Sequence, residues 1–151
     1  MENSRNRPSE PVTTALGACL ERHVTAGQRV VVGLSGGIDS VVLLDALTRA
    51  AASRFLVLTA VYIHHGLSAN ADAWEYHCHT LCRERDVGFS SVPVVVERGS
   101  RDGLEAAARR ARHAIFATLA ADWIALGHHR DDQAETLLFN LNNIRQRQSI
   151  Y

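Results

Sequence analysis

The sequence predicts an α/β protein, a single domain built on a doubly wound, mostly parallel sheet. Two observations predict it. Short apolar, β-branched runs alternate with stretches of helical periodicity, as expected of strands covered by helices on both faces. The segments richest in Gly, His and Ser also fall at the carboxyl ends of the strand-like runs, where such sheets bind ligands.

Each element has its own signal. Residues 1–11, rich in Ser, Asn, Arg and Pro, read as a disordered arm ahead of a domain spanning 12–141. Thr13 or Thr14 can cap a helix to about residue 25, with Leu16, Cys19, Leu20 and Val24 at helical spacing and Gly27 as its stop. Residues 29–34 are a buried parallel strand, and from Asp39 the pattern Val42, Leu43, Ala46, Leu47 predicts a helix to about residue 51. A second strand over 55–63 leads into His64-His65-Gly66-Leu67-Ser68, and a helix over 71–85 aligns Trp74, His77, Cys78, Leu81 and Cys82. The third strand, 89–96, contains Pro93, which predicts a sheet edge. An alanine-rich helix over 104–120 follows, then a short strand over 123–126 ending in Gly127-His128-His129. Asp131 or Asp132 then opens a last helix through residue 141.

Composition narrows the function classes. With 16 basic and 16 acidic side chains the formal charge is zero, so the basic surplus of a protein that grips a nucleic-acid backbone is absent. Either RNA is not the partner, or the surfaces that hold it lie elsewhere. Three cysteines, Cys19, Cys78 and Cys82, do not make a disulfide framework, and imply a reducing compartment. Cys78 and Cys82 are spaced for successive turns of one helix, and no second pair completes a zinc site. No apolar run approaches the ~18 residues of a membrane span, and residues 1–11 lack the apolar core of a secretory signal. A cytoplasmic protein without membrane contact is expected.

Ser35-Gly36-Gly37-Ile38-Asp39-Ser40 carries the most specific chemistry. Paired glycines let the backbone turn sharply and present several N–H groups in one direction. Ser35 and Ser40 add hydroxyls, and the following helix directs its positive end to the same place, which suits phosphate. It is neither a GxxxxGK[ST] loop, lacking the lysine, nor a GxGxxG loop. Asp39 reads as a favourable helix start or as a ligand. Asp132 and Glu135, three apart, share one face of the expected last helix, where they would hold Mg²⁺ or an ammonium, or simply favour the helix start. His64, His65, His128 and His129 form two pairs at strand ends, suited to zinc, phosphate or a base. Arg109 and Arg112 lie on one helix face, placed to grip phosphate or substrate, or to form a solvated basic face with Arg110.

SGGxDS after a first strand resembles the PP-loop ATP pyrophosphatase family, which cleaves ATP to AMP and pyrophosphate. Three further blocks narrow the resemblance to the tRNA(Ile)-lysidine synthetases. These are His64-His65-Gly66-Leu67-Ser68, Gly127-His128-His129-Arg130-Asp131-Asp132-Gln133-Ala134-Glu135-Thr136, and Leu104-Glu105-Ala106-Ala107-Ala108-Arg109 with Arg112. The resemblance spans about residues 15–141. It implies ATP held by Ser35, Gly36, Gly37, Ile38, Asp39, Ser40, His65, Gly127 and His128, with Mg²⁺ at Asp39. It implies substrate contacts at Arg109, Arg112, Asp132 and Glu135, and catalytic roles for Asp39, Asp132 and Glu135. The substrates implied are tRNA(Ile) and L-lysine.

After Leu141 the pattern departs from that family, which continues with an Arg-Gly step and a glycine-rich segment. Here Asn142 to Tyr151 is polar and has no glycine, as a frameshift or truncation would leave. Full-length members carry further domains that help hold the tRNA, so the RNA grip is expected in domains outside this chain. The expectation divides between a lysidine-forming enzyme and an ATP-binding remnant. A PP-loop tRNA thiolase fits less well, because Cys78 and Cys82 do not make the paired CxxC such enzymes use.

Overall fold

Val30, Val31 and Val32, none more than 7% exposed, form the centre of β1 (Arg29–Gly33) and of the whole sheet. In the computed structural model, which describes residues 10–99, 101–130 and 133–140, β1 follows α1 (Glu10–His23) and leads into α2 (Ile38–Arg54). Then come β2 (Val57–His64), α3 (Ala71–Glu84), β3 (Gly88–Pro93), α4 (Leu104–Thr118), β4 (Trp123–Arg130) and β5 (Gln133–Asn140). The strand order is β3-β2-β1-β4-β5, parallel except for β5, which runs antiparallel to β4. The expected doubly wound, mostly parallel α/β sheet is present, and β3 with its Pro93 lies at an edge.

Side-chain alternation along the strands gives two apolar layers. On one face Val30, Val32, Ala60 and Tyr62 pack with Leu16 and Leu20 of α1, Leu43, Leu44 and Leu47 of α2, and Cys78, Leu81 and Cys82 of α3. On the other, Val31, Val61, Ile63 and Ile124 pack with Phe116 of α4 and Ala121. The chain winds outward from β1 through β2 to β3, then returns through α4 to place β4 on the other side of β1. The strand order therefore reverses between β1 and β4, and a ligand crevice is expected beyond their carboxyl ends. The opposite end is tied shut: Arg29 N–H donates to Asp122 Oδ2 at 2.8 Å, and Trp123 Nε1–H to Gln28 Oε1 at 3.0 Å. Arg54 bonds Glu21 at 2.9 Å between α2 and α1, and Arg85 pairs with Asp45 between α3 and α2. Among the described residues no helix is long and apolar enough to cross a membrane.

The structure corrects the reading of the last segment. The helix expected from residue 131 or 132 is instead β5, in register with β4 from Arg130↔Gln133 to Trp123↔Asn140. The helical reading rested on Asp131 or Asp132 as a helix start ahead of an apolar run to Leu141. Thr136, Leu137, Leu138 and Phe139 suit a strand equally well, and pairing covers an edge that β4 would otherwise expose. β4 ends at Arg130 and β5 begins at Gln133, so the strands are close in sequence and the closure entropy of their pairing is small. Asp132 and the tail 142–151 lie outside the described residues, as do residues 1–9 of the expected arm, while α1 begins at Glu10.

Candidate functional site

The loop between β1 and α2 is organised by its own two serines. Ser40, 3% exposed, donates from Oγ to the Gly37 carbonyl at 2.8 Å, and accepts the Ser35 N–H and the Ser35 hydroxyl, each at 3.2 Å. The Ser35 oxygen in turn accepts Gly37 N–H at 3.3 Å. Each hydroxyl has one hydrogen, and both are used inside the loop. The serines thus shape the loop, and the donors left to an anion are main-chain N–H groups, a different division of labour from that expected. The first intrahelical bond runs from Val41 N–H to the Gly37 carbonyl at 3.1 Å, so Ile38 and Ser40 N–H have no intrahelical acceptor, at the positive end of a 17-residue helix. Asp39 is in the first turn of that helix.

Glycine is required at two points of this assembly. Gly36 is buried with φ +85°, a conformation L residues rarely adopt. Gly127 of β4 lies against the start of α2: a Cβ there would meet the Asp39 carbonyl carbon and oxygen at 3.1 Å and Ser40 N at 3.3 Å. The β1 loop and the Gly127 segment, far apart in sequence, therefore touch through backbone.

Beside this contact, on the α4 face of the sheet, is a cavity of about 320 Å³, within the size range of small-molecule sites. Ser35, His65, Arg109, Arg112 and Gly127 all line it, so the structure brings together five of the residues singled out from sequence. Leu34, Ile63, Phe116 and Leu126 supply apolar wall. Arg110, by contrast, bonds Asp102 at 3.0 Å and does not line the cavity, which separates it from the Arg109–Arg112 pair. No acidic side chain lines the cavity among the described residues.

That charge balance perturbs its titratable groups. Burial, then Arg109, lowers the Arg112 pKa, with Glu105 opposing. Burial, then Arg112 and His64, holds the His65 pKa below its ordinary value, favouring the neutral ring. His65 Nδ1 is buried without a hydrogen-bond partner, an atom that a ligand could satisfy. The neighbouring His64 turns elsewhere, bonding Asp72 at 2.8 Å at the start of α3. An anion entering the cavity would meet two guanidiniums and no carboxylate among the lining side chains, with the start of α2 close by across Gly127.

The other sequence candidates lie further along. Gly127, His128 and His129 belong to β4 rather than to a loop beyond it, and His128 is in register with Glu135 of β5. Glu135 is thus in a strand and not at the start of a helix, while Asp132 lies outside the described residues. Cys78 and Cys82 are core residues of α3. Sequence reasoning missed His113, which also lines the cavity; its i+4 spacing from Arg109 was the available signal.

A doubly wound sheet with a Ser-Gly-Gly loop at its switch point defines a class. The profile of the PP-loop domain matches residues 8–150, and the chain belongs to that family. Within it, the chain is similar to the tRNA(Ile)-lysidine synthase of Xanthomonas campestris pv. campestris (strain 8004), 57% identical over 111 residues, which cover 72% of this chain and 26% of that protein. The tRNA(Ile)-lysidine synthase of Azoarcus sp. (strain BH72) is 50% identical over 113 residues, 75% of this chain and 25% of that protein. The chain thus spans about a quarter of the length of the curated relatives it matches. Among solved structures, the U34-tRNA thiolase of Methanococcus maripaludis with its [4Fe-4S] cluster superposes with a TM-score of 0.68 at 17% identity, over 79% of this chain and 44% of that one. That likeness is one of fold.

Proposed function

We propose that this chain is the ATP-binding, substrate-adenylating part of a tRNA(Ile)-lysidine synthase. The observation that carries the reading is the convergence of Ser35, His65, Arg109, Arg112 and Gly127 on one cavity at the switch point. ATP lies with its phosphates over the loop of residues 35–40, at the Ile38 and Ser40 N–H groups that open α2, flanked by Gly127 and His128, and with Arg109 and Arg112 neutralising charge from the α4 side. Mg²⁺, which takes one or two carboxylates together with phosphate oxygens, is proposed to bind with the nucleotide. Asp39, in the first turn of α2, is the residue that would hold it. Such an ion would offset charge on the phosphates.

In the proposed reaction the 2-oxygen of the wobble cytidine attacks the α-phosphorus of ATP. An O–P bond forms, the α–β bridge breaks, and pyrophosphate leaves. The ε-amine of L-lysine then attacks C2 of the adenylated base, the C2–O bond breaks, AMP leaves, and the nitrogen loses a proton. The chain's own part is to align the reactants and to stabilise charge on phosphorus. Asp132 and Glu135 are proposed to hold the lysine ammonium. The work of holding tRNA(Ile) is assigned to the remaining length that the relatives possess, consistent with the zero net charge here. The reaction is proposed to take place in the cytoplasm.

The test is lysine-dependent release of pyrophosphate from ATP with a tRNA(Ile) transcript, alongside ATP binding. Asp39→Ala is expected to abolish both the release and lysine transfer, and retained transfer would sink the assignment. ATP binding without lysine-dependent release would restrict this chain to nucleotide binding.

A further inference from the structure

The loop that binds the anion in this reading is held from behind by a side chain outside its motif. A Cβ at Gly36 would lie 2.7 Å from Trp74 Cε3, 3.3 Å from Cζ3 and 3.4 Å from Cys78 Sγ. The indole therefore rests on the Gly36 backbone. Trp74 and Cys78 are one helical turn apart on α3, and the Cys78 thiol is directed at the Leu34 carbonyl, 4.0 Å away. One face of α3 thus lies along residues 34–36, while Leu34 and Ser35 also line the cavity on the other side. The start of α3 is itself fixed to the end of β2: Tyr62 O–H donates to the Ala71 carbonyl at 3.2 Å, and His64 bonds Asp72 at 2.8 Å. Trp74 remains 45% exposed, so core burial alone does not account for an indole here.

We propose that Trp74 is a positioning residue for the anion loop: its indole, with Cys78 beside it, holds Gly36 in its left-handed conformation and so fixes the course of the chain from Leu34 into the start of α2. The proposal rests on the nucleotide reading for its consequence in affinity, and on the Gly36 contact alone for its consequence in structure.

Two tryptophans are present, and Trp123 is at the opposite end of the sheet, bonded to Gln28. Trp123→Phe therefore leaves Trp74 as the only indole, and its emission is expected to change as ATP, or inorganic pyrophosphate, is titrated in. Trp74→Ala is expected to raise the dissociation constant for both about tenfold, within the range of contact-mediated couplings, while Trp74→Phe keeps it within about threefold. Binding by Trp74→Ala is followed by calorimetry, since its reporter is gone. Gly36→Ala is then combined with Trp74→Ala. Removing the indole removes the clash but not the φ strain, so the Gly36→Ala penalty in thermal midpoint is expected to be smaller in the Trp74→Ala background. Unchanged affinity in a folded Trp74→Ala protein overturns the proposal, and so do additive midpoint shifts. If the Trp123→Phe protein binds neither ATP nor pyrophosphate, the nucleotide reading falls, and the midpoint cycle alone decides whether Trp74 holds the loop.

Discussion

Replacing Ser40 by Ala tests whether the two serines build the loop. Ser40 is the one polar residue in the buried class among the described residues, and its hydroxyl makes three contacts: to the Gly37 carbonyl at 2.8 Å and from the Ser35 N–H and hydroxyl at 3.2 Å. The consequences of losing them are unequal. The Gly37 carbonyl keeps Val41 N–H at 3.1 Å, and the exposed Ser35 hydroxyl can turn to water. The Ser35 N–H is left without its partner. One short bond, two long ones and one stranded donor sum to about 2 kcal/mol, at net values of about 0.5–1.5 kcal/mol per bond. For a chain of this size that is a fall of about 4–8 °C in melting midpoint, followed by circular dichroism. ATP affinity, measured by calorimetry below the transition, is expected to fall as well, because the loop loses its fixed shape. A midpoint within about 1 °C of the parent, with unchanged ATP affinity, would refute the hydroxyl network as the basis of the loop.

Three other outcomes are expected. Burial, Arg112 and His64 lower the His65 pKa below its free value of 6.5, so below that pH the unfolded chain takes up a proton that the folded chain declines. Stability is therefore expected to fall as pH drops from 6.5 towards the folded pKa. His65→Asn should flatten part of that slope in urea melts between pH 5 and 7, and an unchanged slope would contradict the assignment. Burial pushes the Cys78 thiol up to about 12 and the Cys82 thiol to about 11. At pH 8 both should resist iodoacetamide in the native chain and react in urea, as read by peptide mass spectrometry. Gly127→Val places a side chain against the α2 backbone at 3.1 Å, an overpacking worth about 1–3 kcal/mol. It should lower the melting midpoint and weaken ATP binding together, and a parent-like melting curve would show that β4 does not approach α2 so closely.

Much of the fold was legible because burial and periodicity agree for β1 to β4 and for α1 to α4. Pro93 marked an edge for a local reason, its missing N–H. Phe55 was less readable: the apolar run placed it in a strand, whereas it caps α2 at φ 54° and is 79% exposed. Hydrophobicity alone does not show that a residue serves as a left-handed cap. The fate of 133–140 was not legible either, because two acidic positions and a leucine pair satisfy a helix start and a hairpin strand alike, and only pairing with β4 decides. For the site, the glycines and serines of 35–40 announced an anion loop, and the arginine pair announced a basic face. Which donors remain for a ligand, and what supports Gly36 from behind, depend on Ser40 and Trp74 in three dimensions.

The helix that carries the two arginines has few anchors. Only Ala107 and Phe116 of α4 are buried, against seven residues of α2, because the cavity occupies the space beneath it. Local opening free energy follows such buried contact, so the amides of α4 should exchange hydrogen for deuterium well before those of α2. A ligand bridging Arg112 and the β1–α2 loop would join α4 to the far layer of the molecule through the sheet's end. Its arrival would then be recorded as slowed exchange along α4, a signature of occupancy that needs no turnover at all.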